Sequence, residues 1–230
     1  MPPSTSKYKL YLYLFFLIFL SSIFNFKFLE NNQSKFRISK INIYGISNNE
    51  KKMLEIELNS LKKKNLFKLS ESAIKEKLNK FNFIEEIYVN KVIPSSININ
   101  LSKTSILAKT LKDGENFYVG KNGKFINSNE IQVKEKIATV FGDFKIVDFL
   151  YLQNILKNNQ LEMGKIENYY YYKNKRWDIL FSNGLLLRLP SKNIEKSIKI
   201  YKKLLKNKNS INTKIIDLRI ANQIILTNNE

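Results

Sequence analysis

An apolar run near the N-terminus constrains this chain more than any other feature of its sequence. Residues 10–20 read LYLYLFFLIFL, and apolar side chains continue at intervals to Phe28, with only Lys7 and Lys9 carrying side-chain charge ahead of the run. Because a bilayer core needs about 20 predominantly apolar helical residues, we predict a single transmembrane helix over residues 10–28. No second run of this kind follows, so the remaining residues are expected to form one body tethered at a membrane surface.

A cleaved signal peptide is the alternative interpretation of this run. Signal peptides have a shorter apolar core and a small-residue cleavage site, whereas residues 21–26 read SSIFNF and offer no A-x-A pattern, which favours an uncleaved anchor. Lys7, Lys9 and the short tail favour a cytoplasmic N-terminus, although four basic residues between positions 27 and 40 follow on the other side. We therefore expect residues 1–9 to be a cytoplasmic tail and the body to lie outside the cytoplasmic membrane.

The charge of the chain suggests two kinds of partner. Lysine and arginine number 39 against 20 acidic residues, a formal net charge of +19, and a basic balance of this size is a footprint of nucleic-acid binding. However, the lysines are spread over the whole body, and no zinc-finger or basic-zipper pattern accompanies them. Attraction to anionic lipid headgroups explains the same charge in a tethered protein, so we expect the lipid bilayer as a partner and no nucleic acid.

Cysteine and histidine are both absent from the sequence. Their absence excludes disulfides and any mechanism that needs a thiolate or an imidazole, including Ser-His-Asp and Cys-His catalysis. The sequence also has no plausible carboxylate pair, no glycine-rich phosphate loop and no metal-ligand spacing. We therefore predict that the protein is not an enzyme and has no catalytic residues, cofactor, metal site or small-molecule substrate.

Alternating and helical patterns divide the first half of the body into five elements. Residues 36–45 alternate as a strand that ends at Gly45, and Ser47 with Glu50 forms a capping box that begins a helix. The predicted order is a strand at 36–45, helices at 47–61 and 70–79, and strands at 84–92 and 96–101. The helix residues expected to face the core are Met53, Leu54, Ile56, Leu58, Leu61, Ala73, Ile74 and Leu78.

The second half of the body repeats nothing from the first and is rich in short strands. Asn-Gly and Asp-Gly pairs mark hairpin turns between apolar runs, and the last helix is expected to begin at a cap formed by Ser191. The predicted strands are 106–111, 117–119, 124–126, 166–172, 177–181, 185–189, 215–220 and 223–226, with helices at 147–156 and 191–207. The last helix is expected to bury Ile194, Ile198, Tyr201, Leu204 and Leu205. Together the two halves predict an α+β fold.

Several short motifs carry a resemblance to a known family. They are INIYG at 41–45, LNKFNFIEEIYV at 78–89, Pro94 with Ile97 and Ile99, YVGKNGKF at 118–125, VFG at 140–142, RWDI at 176–179 with NGL at 183–185, and IDLR at 216–219. The order strand, helix, helix, strand, strand with these residues resembles a polypeptide-transport-associated (POTRA) domain. The chain as a whole resembles the FtsQ/DivIB family of bacterial cell-division proteins.

The resemblance implies a fold, a place and a role. The fold would be one transmembrane helix, a POTRA domain at 36–103 with the order βααββ, and a β domain of antiparallel strands with flanking helices at 104–230. The place would be the cell inner membrane at the division septum, with a cytoplasmic N-terminus and a periplasmic body. The role would be a scaffold that links early and late division proteins during septum formation, chiefly by binding FtsB and FtsL. A membrane-anchored POTRA adaptor in protein translocation or outer-membrane assembly is the alternative.

The end of the chain supplies the candidate site. The strand predicted at 223–226 is the last in the sequence, so we expect one of its edges to stay uncovered and to invite another chain to add a strand. The resemblance implies that partners bind there, with neighbouring basic residues engaging acidic ones, because arginine can grip a carboxylate with two hydrogen bonds. The alternative for Arg219 is that it pairs only with Asp217 or with solvent. The residues predicted to bind a partner are Arg176, Arg219, Ile220, Asn222, Gln223, Ile224, Ile225 and Leu226.

Overall fold

The apolar N-terminal run forms a helix, α1 (Lys7–Ser22), in the computed structural model, which describes residues 7–22, 35–206 and 213–228. Every side chain from position 10 to position 20 is apolar and more than half exposed. Among the residues that the structure describes, no helix is both long enough and apolar enough to cross a membrane. The predicted span continues to residue 28, and its part from residue 23 onward lies outside the described residues.

The five elements predicted for the first half of the body are present in the predicted order. They are β1 (Lys40–Tyr44), α2 (Asn48–Leu58) with a 3₁₀ turn at Asn59–Leu61, α3 (Glu71–Leu78), β2 (Ile84–Val92) and β3 (Ser96–Lys103). The central strand of the three-stranded sheet is β3, which pairs in parallel with β1 and antiparallel with β2. A parallel pair needs a long connection between its strands, and here α2, α3 and β2 all lie between β1 and β3.

Leucines of the helices fill the core against this sheet. Leu54, Leu58, Ile74 and Leu78 are at most 1% exposed, and their spacing of four residues in each helix places them on one face. Ile56 is 79% exposed, so its predicted place in the core was wrong. At 100° per residue, Ile56 lies about 200° around the helix from Leu54 and faces solvent.

The predicted capping box forms at the start of α2, and it explains a buried carboxylate. Glu50 is almost fully buried, and it accepts a hydrogen bond from the Ser47 amide at 2.7 Å. Its other oxygen lies 3.2 Å from the Lys103 ammonium of β3. The same turn depends on Gly45, which has a φ of +88°, and a Cβ there would overlap the Leu101 carbonyl oxygen. The entry to α2 is therefore fixed by a glycine and by one fully paired carboxylate.

Nine strands of the second half form a single sheet. The strands are β4 (Ile106–Lys112), β5 (Glu115–Gly120), β6 (Phe125–Asn127), β7 (Thr139–Phe141), β8 (Ile166–Tyr171), β9 (Trp177–Phe181), β10 (Leu186–Arg188), β11 (Thr213–Asp217) and β12 (Ile225–Asn228). In spatial order they are β12-β11-β10-β9-β8-β7-β4-β5-β6. The helices are α4 (Ile146–Asn158) and α5 (Ile194–Lys206), and a 3₁₀ turn precedes β8 at Met163–Lys165.

Several details of this half differ from the predictions. Antiparallel strands were expected, but β10 pairs in parallel with β11, and β7 pairs in parallel with both β4 and β8. The strand β7 was not predicted, yet it lies between β4 and β8 in the sheet. Helix α5 begins at Ile194, and Ser191 is therefore not its cap: Asn193, just before the helix, has a φ of +57° and redirects the chain. Leu205, expected in the core, is 52% exposed.

Helices α4 and α5 both pack on the second sheet, and aromatic rings dominate that core. Phe149 of α4 contacts the Tyr169 ring edge to face at 5.2 Å between centroids, and lies 5.9 Å from the Trp177 ring. Ile194, Ile198 and Tyr201 of α5 are buried in the same cluster. The helices therefore cover one face of the sheet.

The two halves share part of their interior. Ile126 of β6 and Ile131 are buried in the cluster formed by the first half, although β6 belongs to the second sheet. The Asn82 side-chain amide donates to the Phe125 carbonyl at 2.8 Å, and the Asn122 amide donates to the Asn82 carbonyl at 2.9 Å. The first half is thus packed and hydrogen-bonded to the β6 end of the second sheet.

Candidate partner-binding edge

Strand β12 lies at one edge of the nine-stranded sheet. It pairs antiparallel with β11, and within the described residues no strand pairs with its other side. All four residues of β12 are exposed. The strand begins two residues later than predicted because the connection from β11 is longer: Gln223 donates to the Ile220 carbonyl at 3.2 Å, and Asn222 has a φ of +60°.

The pairing of β11 shows which way its backbone groups point. The Leu218 amide, just past the end of β11, donates to the Arg188 carbonyl of β10 at 2.9 Å. Backbone groups of successive residues in a strand point to opposite sides. Asp217 and Ile215 therefore direct their N–H and C=O groups away from β10 and toward β12.

The same alternation identifies the free backbone groups of β12. Ile225 lies opposite Asp217, and Thr227 lies opposite Ile215, so both residues turn their N–H and C=O groups toward β11. Leu226 lies between them, so its N–H and C=O point away from β11, toward the open edge of the sheet. An unpaired donor and acceptor on an exposed edge form a template for another strand.

Apolar side chains accompany this free edge. Ile220, Ile224, Ile225 and Leu226 are each 45–52% exposed. The connection that carries Ile220 and Ile224 also lines a groove of about 360 Å³ against the start of α5. An edge with both open hydrogen-bonding groups and apolar side chains is suited to a partner strand that alternates apolar and polar residues.

A row of charges crosses the sheet next to the edge. Asp178 of β9, Arg188 of β10 and Asp217 of β11 lie opposite one another in register. Arg188 lies 3.8 Å from Asp178 and 3.7 Å from Asp217, and the Arg219 Nε donates to Asp217 at 2.8 Å. Because the residues next to each member of the row are buried under the helices, the row lies on the uncovered face. Ile225 continues the same row onto β12.

The two arginines predicted for the site both lie in this cluster. Arg219 binds both Asp217 oxygens, through Nε and through a terminal nitrogen at 2.5 Å, so the contact considered as its alternative role is present. Arg176 stacks on the Tyr172 ring with its Cζ 4.1 Å from the ring centroid, and its buried Nε has no hydrogen-bond partner. Arg188 was not predicted, because its position between two aspartates depends on strand register.

The pKa values of Asp178 and Asp217 shift in opposite directions, because burial and the neighbouring arginines compete with different results at the two sites. Burial raises the pKa of Asp178, and the Tyr172 hydroxyl bond and the Arg176, Arg188 and Arg219 charges offset only part of that effect. Burial also acts to raise the pKa of Asp217, but the hydrogen bonds from Arg219 outweigh it, and the pKa falls below its ordinary value of 3.8. The Asp217 carboxylate therefore stays ionised and keeps Arg219 against the sheet.

Asp217→Asn is expected to destabilise the protein at neutral pH by about 1.5–3 kcal/mol, the range for hydrogen bonds to a charged group. An acid whose pKa is lower in the folded protein stabilises the fold above its ordinary pKa, and loses this effect as pH falls through the lowered value. The difference in unfolding free energy between the protein and the variant should thus shrink below about pH 4. Denaturant unfolding of both proteins at a series of pH values measures this difference. Asp113→Asn, in an exposed turn, should change little, and a pH-independent loss for Asp217→Asn would contradict the assignment.

Two family models match most of the chain. The model described as "POTRA domain, FtsQ-type" matches residues 36–103, and the model described as "Cell division protein FtsQ/DivIB, C-terminal" matches residues 110–219. The first match covers the three-stranded sheet and its helices. The second runs from the end of β4 to Arg219 and contains the charged row.

Curated relatives and a solved structure carry similar names. The cell division protein FtsQ of Rickettsia bellii is 27% identical over 191 residues, which cover 82% of this chain and 71% of that protein. FtsQ of Rickettsia typhi is 27% identical over 190 residues with the same coverage. The major extracytoplasmic domain of DivIB from Geobacillus stearothermophilus matches with a TM-score of 0.33 and 11% identity, over 48% of this chain and 98% of that one.

Proposed function

The chain belongs to the FtsQ/DivIB family of cell division proteins, and from this premise we propose that it is a membrane-tethered scaffold of the division machinery. It acts by binding other proteins, not by catalysis. The observation that carries this proposal is the β12 edge, where the free backbone groups of Leu226 adjoin four exposed apolar side chains. Binding another chain at that edge would join the partner to the membrane-anchored body.

The tether in this proposal is the N-terminal helix. Every side chain of positions 10–20 is apolar and exposed, and apolar side chains around the whole circumference of a helix favour a lipid surrounding. The N-terminus lies in the cytoplasm, as the lysines at positions 7 and 9 favour. The bodies at 36–103 and 104–230 lie in the periplasm, attached to the inner membrane at the division septum.

The partners proposed for the edge are FtsB and FtsL, as the family resemblance implies. A strand of the partner adds to β12, forming main-chain hydrogen bonds with Leu226. Acidic residues of the partner engage the charged row, where Arg176, Arg188 and Arg219 exceed the two aspartates by one positive charge. Arg219 holds Asp217 already. Arg176 is half-buried and has no ion pair within the described residues, so it is the better candidate for a partner carboxylate.

As a scaffold, the protein links division proteins that bind on both sides of its body. The POTRA half offers the edges of β1 and β2 and its helices as a second docking face. The other function considered, an adaptor in protein translocation or outer-membrane assembly, draws no support from the second half: residues 110–219 match the C-terminal model of division proteins. No catalytic role enters the proposal.

Co-purification of the full-length chain from detergent-solubilised membranes tests the proposal. FtsB and FtsL are expected to accompany the full chain and to be lost from a chain ending at Ile220, which lacks β12. A reporter enzyme fused after Glu230 should be active only in the periplasm. Equal recovery of both partners with the shortened, folded chain would place the binding site elsewhere, and cytoplasmic reporter activity would overturn the topology.

A further inference from the structure

Residues 36–38 are held against the connection between α2 and α3. Ile38 donates to the Lys64 carbonyl at 2.9 Å, Lys63 donates to the Ile38 carbonyl at 3.0 Å, and Leu66 donates to the Phe36 carbonyl at 2.8 Å. Arg37 and Asn65 form an antiparallel bridge between these hydrogen bonds. The two segments therefore form a short ribbon at the end of the body where the chain enters it.

Basic side chains crowd this ribbon without acidic neighbours. Residues 35–40 and 62–69 read KFRISK and KKKNLFKL and contain no aspartate or glutamate. Their seven basic residues are all exposed, and none has an ion-pair partner within the described residues. They are Lys35, Arg37, Lys40, Lys62, Lys63, Lys64 and Lys68. We call this set, with its ribbon, the basic end.

The basic end also exposes apolar side chains. Phe67 is 58% exposed and packs edge to face on Phe36 at 5.1 Å between centroids. Ile93 is 66% exposed, and it is held nearby because Ser39 donates its amide to the Ser95 carbonyl at 2.8 Å. Phenylalanine and other apolar side chains beside lysine and arginine suit a surface that lies at the lipid headgroup boundary.

The sequence keeps this end near the anchor. Only residues 23–34 separate the end of α1 from Lys35, so a fully extended connection spans at most about 45 Å. We propose that the basic end docks on anionic lipid headgroups of the membrane that holds α1. This inference rests on the tether of the proposed function. Unpaired basic residues close to an anionic leaflet are attracted to it, and the attraction decays within the Debye length.

Headgroup docking can be measured on the full-length chain in vesicles. Because the chain has no cysteine, Ser60→Cys provides a single labelling site beside Lys62 for a fluorophore, and a quencher is attached to lipid headgroups. Quenching is expected to be stronger in vesicles that contain phosphatidylglycerol than in phosphatidylcholine alone. High salt should remove the difference, because mobile ions screen the attraction.

Two variants that lose the same amount of charge distinguish binding through the basic end from attraction by the net charge of the whole protein. Changing Arg37, Lys62, Lys64 and Lys68 together to Gln should reduce quenching in phosphatidylglycerol vesicles to the level in phosphatidylcholine. Changing the exposed Lys157, Lys173, Lys203 and Lys206 to Gln removes the same charge elsewhere and should leave quenching unchanged. Thermal melts confirm that both variants fold.

The outcomes distinguish the inference from the proposal beneath it. Quenching that is equal in both kinds of vesicle, or that falls equally in both variants, overturns docking of the basic end while leaving the tether intact. Extraction of the protein from the vesicles by alkaline carbonate overturns the tether itself. Retention in the vesicles, with quenching that depends on both phosphatidylglycerol and the basic end, supports both.

Discussion

Leu226→Pro is expected to abolish co-purification of the single-span partners while the protein stays folded and in the membrane fraction. Proline has no amide hydrogen, and in a sheet it is tolerated where the N–H would face away from the neighbouring strand. The Leu226 N–H faces out of the sheet, as the register between β11 and β12 requires. The substitution therefore removes a donor that only an added strand would use. Partner recovery from detergent extracts, together with thermal melts, provides the measurement.

Thr227→Pro is the matched control for this experiment. Thr227 lies opposite Ile215 and directs its N–H toward β11, so proline there breaks a hydrogen bond inside the protein and should lower the melting temperature. Leu226→Ala keeps the outward N–H and should weaken binding only in part, through lost apolar contact. A folded Leu226→Pro protein that retains its partners would show that they bind without strand addition at β12.

Leu78→Ala is expected to lower the free energy of unfolding by about 2–5 kcal/mol. Leu78 is fully buried at the end of α3, so truncation loses the burial of its side chain and leaves a cavity against the first sheet. Denaturant melts of the full-length chain in detergent measure the change.

Ile56→Ala is the control for that prediction. Ile56 is also apolar and helical, but it is 79% exposed, and surface substitutions usually change stability by no more than about 0.5 kcal/mol. Equal losses for the two variants would mean that the helical face assigned to the core is wrong.

Local patterns in the sequence were sufficient for most elements of the fold. The capping box at Ser47, the break at Pro94 and the alternation of Ile97 with Ile99 each depend on neighbours within a few residues, and the corresponding elements form as predicted. The strands β2 and β9 have the predicted boundaries. Errors arose where a boundary depends on a turn: β12 starts late because a left-handed Asn222 lengthens the connection before it.

The candidate site was less predictable because it depends on register between distant strands. The motif at 216–219 pointed to Arg219, and its contact with Asp217 two residues away was foreseeable. The role of Arg188 was not foreseeable, because Arg188 contacts Asp178 and Asp217 only when β9, β10 and β11 pair side by side. The outward direction of the Leu226 backbone depends on the same alignment, and a shift of one residue would reverse it.

The burial of Ile126 and Ile131 in the first core has a consequence for recombining the chain. A cut after Lys103 follows the sequence motifs but divides one interior, leaving two isoleucines on one fragment and the leucines that surround them on the other. A chimaera that takes its first half from a relative would also need that relative's equivalent of residues 118–133. Without them, the side chains where the two parts meet would not pack together.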